Sequence, residues 1–195
     1  MAERTEKLKQ IKNEVLNLVS SPLYSYRTEN NFFPVIGEGS HSAEIMLVGE
    51  APGQNEAKTG RPFCGASGRV LDQLLASVGL ARDKVYITNI VKDRPPENRD
   101  PTPEEIRLYG PFLDRQLEII KPKTVASLGR HSMKYLMEKF NLMHLFEPIS
   151  KLHGKKFEAE MPFGKVKFVS LYHPAVGVYN AGQIPELKKD FKNIL

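Results

Sequence analysis

Four short apolar or β-branched runs set the terms on which this chain can fold. They are "EIMLVG" from Glu44, "VYITNIV" from Val85, "TVASLG" from Thr124 and "VKFVSLY" from Val166. Helical patterns separate the first three. Val70, Leu71, Leu74, Leu75 and Val78 recur on one helix face, and Arg130 to Phe140 supplies another helix. Between them, Thr102 as N-cap, Pro103 at the first helical position and Glu105 three residues past Thr102 mark a helix start. Leu8, Ile11, Val15 and Leu18 make an amphipathic helix at the N-terminus, and Pro185 to Ile194 a last one at the other end. Strands this apolar have no solvent face. Strand alternating with helix therefore implies α/β class: three layers, α/β/α, around a central, mainly parallel four-stranded sheet. Residues 21 to 43 read as an extended connection, and Asn141 to Gly164 as an irregular stretch with room for a hairpin.

A chain of 195 residues with 41% hydrophobic and 26% charged residues has enough apolar content for one core. Residues 1–195 are expected to form a single domain. No apolar run reaches the roughly 18 residues of a membrane span. The charged, helix-patterned stretch from Met1 to Ser20 is no secretory signal. One cysteine excludes an internal disulfide and an all-cysteine metal site, and fits a reducing, cytoplasmic compartment. A net charge of +5 suits a polyanionic partner, although a solvated basic surface accounts for it equally well.

In an open parallel sheet, ligands bind outside the carboxyl ends of the strands. Gly49-Glu50-Ala51-Pro52-Gly53 follows the first run, Asn89 sits in the second, just before "KDRPPENRDPTP", and "YHPA" (Tyr172 to Ala175) follows the fourth. Three sequence-distant clusters at one sheet edge predict a shared pocket with a carboxylate, an amide, an imidazole and backbone N–H groups. Taken singly, each has a plainer explanation: a tight turn at Gly49–Gly53, a packed His173, a loop-anchoring Phe63. Asn89 resists that treatment, because an amide inside an apolar strand is costly unless fully bonded. "GQNEAKTG" lacks the Gly-Lys-Ser/Thr ending of a phosphate loop, and there is no Gly-x-Ser-x-Gly elbow. His131, His144 and His153 lack metal-ligand spacing with Cys or acidic residues.

Read in order, "GEAPG", "GRPFCGASGRVLDQLL", "TNIVKDRPPENRDPTPEEI" and "YHPA" resemble the uracil-DNA glycosylase superfamily, nearest its family 4, over roughly residues 44 to 192. The resemblance implies an enzyme of base excision repair that flips uracil out of DNA and hydrolyses its N-glycosidic bond. It places Glu50 and the backbone of Gly49 and Ala51 at that bond and at the uracil O2. Phe63 would stack on the ring, Asn89 read the N3–H and O4 edge, and Glu56 crowd C5 against a thymine methyl. His173 would donate to O2, and the loop Val176, Gly177, Val178, Tyr179 and Asn180 would enter the duplex from the minor groove. The implied partner is uracil-containing DNA, bound by a monomer. A glycosylase of wider scope, removing hypoxanthine or xanthine, and a non-catalytic DNA-binding module are the alternatives; intact Glu50, Asn89 and His173 favour catalysis.

Two departures matter. Family 4 holds an iron–sulfur cluster on four cysteines, whose places are taken here by Pro22, Ser25, Asp93 and Tyr109. The sole cysteine, Cys64, lies elsewhere. The expectation is a relative with no metal and no cofactor, its segments tied by Tyr24, Tyr26 and Tyr109. The residue after Glu50 is Ala51, where the best-known uracil glycosylases carry a water-activating Asp, which leaves Glu50 for that task.

Overall fold

A computed structural model describes residues 2–195; Met1, which opens the charged N-terminal stretch, lies outside them. The elements run α1 (Ala2–Leu16), α2 (Leu23–Glu29), β1 (Glu38–Gly39), β2 (Ile45–Gly49), α3 (Gln54–Thr59), α4 (Ala66–Ser77), β3 (Tyr86–Asn89), α5 (Pro103–Ile120), β4 (Thr124–Leu128), α6 (Arg130–Lys139), α7 (Ile149–Leu152), β5 (Lys156–Met161), β6 (Gly164–Leu171), α8 (Ala175–Tyr179) and α9 (Ile184–Phe191).

The α/β class and the layering are those expected, but the sheet is larger than the four strands counted in the sequence. Among the described residues it has six, in the order β1-β3-β2-β4-β6-β5. The four expected strands, β3, β2, β4 and β6, form its parallel centre. A two-residue β1 and the exposed β5 add antiparallel edges, β5 as the hairpin partner of β6. Along β2, Met46 and Val48 enter one core and Leu47 the other, as the period-two alternation of a strand requires. The first core holds Leu8, Ile11 and Val15 of α1, Leu113 and Leu117 of α5, and Met133 and Leu136 of α6. The second holds Leu71, Leu74 and Leu75 of α4 with Leu187 and Phe191 of α9.

One connection differs from expectation. Residues 21 to 43 contain α2, whose "LYSYRTE" offers little periodicity; Leu23 and Arg27 are its buried anchors. The start of α5 is as read: Thr102 Oγ1 accepts from Glu105 N (3.2 Å) and Glu105 Oε2 from Thr102 N (2.8 Å). Arg99 clamps the same carboxylate, Nη2 to Oε1 at 2.6 Å, and so ties the loop before α5 to the helix. No described helix is long and apolar enough to cross a membrane.

Candidate active site

Strand order reverses beside β2, because β3 lies on one side of it and β4 on the other. Such a switch point opens a crevice beyond the carboxyl ends of the strands. A cavity of about 310 Å³ occupies it, lined by Glu50, Ala51, Glu56, Phe63, Asn89 and His173 among others. Six residues singled out in the sequence thus meet in one place. Gly49 sits beneath them, paired in register with Asn89. A side chain there would meet Phe63 Cζ at 2.8 Å and Asn89 Oδ1 closer still, so only glycine lets the ring and the amide approach the strand end.

Phe63 is both loop anchor and pocket wall. It is buried among Leu71, Leu74 and other residues of the second core, yet its ring lies 5.6 Å from the His173 ring on the pocket side. Its φ of +48° is held by contacts around it. Glu56 Oε1 accepts from Cys64 N (3.0 Å) and Gly65 N (3.1 Å), and the Phe63 backbone lies so close to Gly68 that no Cβ fits there. Glu56 therefore lines the cavity and also fixes the loop that carries the aromatic.

Asn89 is buried, and its Oδ1 has no hydrogen-bond partner among the described residues. An unpaired buried carbonyl is expensive; this one faces a cavity that admits a donor. His173 is not in an open loop. Its imidazole packs against Phe63 and against Gly129, where φ is +106°. Burial pushes its pKa down to about 4, against a small upward pull from Glu56. Ala175 N donates to Nδ1 at 3.1 Å, so the neutral ring carries its proton on Nε2. The result is an uncharged donor.

Glu50 is half-buried, and burial raises its pKa; His131 and Arg130 oppose that rise and Asp100 reinforces it. His131 Nε2 lies 3.8 Å from Glu50 Oε2 and 3.1 Å from Asp100 Oδ2. Nothing local in the sequence marks this group, since its members come from the end of β2, the loop before α5 and the first turn of α6. Arg130 is its charged donor, to Asp100 Oδ2 at 2.8 Å and to His131 Nε2 at 2.9 Å. Arg99 and Asn98, also absent from the sequence reading, line the same cavity.

Residues Val176 to Asn180 form a short helix, α8, and its end, rather than a loop. Tyr179 is 89% exposed and Val178 43%, and both border a second depression that shares Glu56, Ser67 and Asn98 with the first. Gly177 faces inward, against Ile184 and Val70. Asn180 Oδ1 accepts from Gly182 N at 3.0 Å. Those two shape the turn that presents the exposed pair.

The four positions of the family's cluster do not fit a sulfide cluster. Pro22 has no ligand atom in its side chain and Ser25 is exposed. Asp93 and Tyr109 are bonded to each other, Tyr109 donating to Asp93 Oδ2 at 2.6 Å. Arg27 Nε donates to the same oxygen at 3.0 Å, and Ser21 Oγ lies 2.8 Å from the Tyr109 hydroxyl. A buried polar network thus joins α1–α2, the loop after β3 and α5. The other two tyrosines help at its margin: Arg27 lies over the Tyr24 ring at 5.1 Å, and Arg94 donates to the Tyr26 hydroxyl at 2.9 Å.

The sequence profile described as "Uracil DNA glycosylase superfamily" matches residues 36–195. A protein of Sulfurisphaera tokodaii named type-4 uracil-DNA glycosylase is 45% identical over 190 residues, 97% of this chain and 84% of its own. Its namesake in Archaeoglobus fulgidus is 44% identical over 189 residues, 97% and 92% of the two chains, and that of Thermotoga maritima 37% over 175 residues, 90% and 85%. A match over most of the chain, with relatives this similar along nearly its whole length, settles the kinship: the chain belongs to the uracil-DNA glycosylase superfamily.

Proposed function

We propose that this chain, a uracil-DNA glycosylase and hence a hydrolase of base excision repair, works on a flipped nucleotide with its carboxylate, amide, aromatic and imidazole. The observation that carries the reading is their convergence in one cavity at the switch point of the sheet. A glycosylase cannot reach its bond inside the stack and must extrude the nucleotide. Phe63 then supplies the face on which the base lies. The free Oδ1 of Asn89 accepts the uracil N3–H while its amide donates to O4, a pairing that cytosine cannot offer. Glu56 closes the C5 side, and the backbone of Gly49 and Ala51 borders the glycosidic bond.

Bond cleavage leaves the electron pair on N1 and an oxocarbenium-like sugar. Nε2–H of neutral His173 donates to O2 as that oxygen gains charge. Water adds at C1′ and gives its proton to Glu50, whose carboxylate also stabilises the cationic sugar. Val178 and Tyr179 fill the space the nucleotide vacates, held by Val176, Gly177 and Asn180. Every group in the scheme comes from one chain, which supports a monomeric enzyme acting as one domain over residues 1–195. A DNA substrate is compatible with a cytoplasmic, nucleoid-associated enzyme.

Duplex and single-stranded oligonucleotides carrying one uracil, hypoxanthine or xanthine, treated with alkali after incubation, test this. Scission at uracil is the expected result. Comparable scission at hypoxanthine or xanthine would establish the wider scope, and binding without scission would establish a DNA-binding module.

A further inference from the structure

Lys92 is the one lysine fully buried among the described residues. No carboxylate is among its hydrogen-bond partners. Its ammonium donates to Asn89 O at 2.6 Å, Gln116 Oε1 at 2.6 Å and Thr88 Oγ1 at 2.8 Å. Burial pushes its pKa well below the usual lysine range, and an unpaired cation in an interior is normally selected against. The hydrogen-bond count explains why it stays. Asn89 O can only accept. The Gln116 amide is fixed, because its Nε2 donates to Ile36 O (2.8 Å) and the Tyr86 hydroxyl (3.1 Å), which turns Oε1 toward Lys92. The Thr88 hydroxyl gives its single proton to Ile36 O at 2.6 Å. Three acceptors therefore face Nζ, and only the charged ammonium has three protons for them.

This cation sits directly behind the pocket. The ladder between β2 and β3 ends at the Gly49–Asn89 pair, and the Asn89 carbonyl is gripped by Lys92 from below while the Asn89 amide faces the cavity. We propose that Lys92 is a positioning residue for base recognition: its ammonium, spanning Asn89, Thr88 and Gln116, clamps the end of β3 to α5 and so fixes the Asn89 amide against the flipped base. The inference rests on Asn89 being the group that reads uracil.

A double-mutant cycle tests it, because a residue that acts only through Asn89 loses its effect once the Asn89 amide is gone. Single-turnover excision is measured for wild type, Lys92→Met, Asn89→Ala and the double variant. Lys92→Met is expected to slow uracil excision by about tenfold or more in wild type and by less than about twofold in the Asn89→Ala background. Equal fold-losses in both backgrounds would make Lys92 merely structural and overturn the proposal. Full activity of Lys92→Met alone would do the same. Asn89→Ala is itself expected to lose excision; unchanged excision in that variant would refute the reading of Asn89 and the role of Lys92 with it. If Lys92→Met does not fold, Gln116→Met removes one acceptor of the same ammonium and is expected to show the same dependence on Asn89.

Discussion

Asp93→Ala should destabilise the protein as much as the loss of a large core side chain. The Asp93 side chain is 1% exposed and that of Arg27 6%. Removing the carboxylate leaves the guanidinium buried with only the carbonyls of Leu16 (2.8 Å) and Val15 (3.4 Å). It also leaves the Tyr109 hydroxyl with only Ser21. Breaking a buried ion pair by removing one partner costs about 3–5 kcal/mol. In a chain of this size 1 kcal/mol at the midpoint corresponds to about 2–4 °C, so the melting temperature should fall by about 6–20 °C. Circular dichroism during heating, with guanidinium titration as a second measure, reads this directly. The double variant Arg27→Met with Asp93→Leu should recover most of the loss, since apolar residues of similar volume replace a buried pair at little cost. A loss below about 1 kcal/mol in Asp93→Ala, or a double variant less stable than the single one, would refute the view that this network ties the three segments.

Glu50→Gln should cut the single-turnover excision rate by about a hundredfold or more while leaving DNA binding unchanged; rates within about threefold of wild type would remove Glu50 from the chemistry. Phe63→Ala should weaken binding of uracil-containing DNA by about 1–3 kcal/mol, measured by equilibrium titration, the usual size for a base on an aromatic face. His173 gives a pH signature. Its native pKa of about 4 lies below the usual 6.5, so the unfolded state binds more protons between those values. Stability should be fully present above about pH 6.5 and fall as the pH drops toward 4, by as much as about 3 kcal/mol. His173→Gln should flatten that segment of the stability–pH curve obtained from guanidinium titrations.

The parts of the fold legible in the sequence are those where burial imposes a pattern. β2, β3, β4 and β6 lie inside the sheet, and two covered faces demand continuous apolar runs. β5, "KFEAEM", is an exposed edge with charges on alternate residues, and β1 is two residues long; neither needs such a run. α2 was hidden for another reason, since its fixed point is Arg27, a charged side chain buried by partners 66 and 12 residues away. In the site, Glu50, Asn89 and His173 stood out because each interrupts or directly follows an apolar run. Asp100 and His131 carry no local mark: each lies on a surface-like stretch and gains meaning only where the loop before α5 meets α6. Lys92 was misleading in the opposite sense, because a lysine beside Asp and Arg reads as solvated, and only the acceptors of α5 and β3 draw it inside.

The double duty of Glu56 has a consequence for how binding free energy is used. The same carboxylate that lines the cavity holds two backbone amides of the Phe63 loop, so the wall against which a base would rest is assembled before any DNA arrives. Little conformational entropy then remains to be lost when the base enters, and the interaction free energy can go toward extracting the nucleotide from its stack. A pocket with this wall already fixed would select bases by refusing the wrong shape, not by closing around the right one.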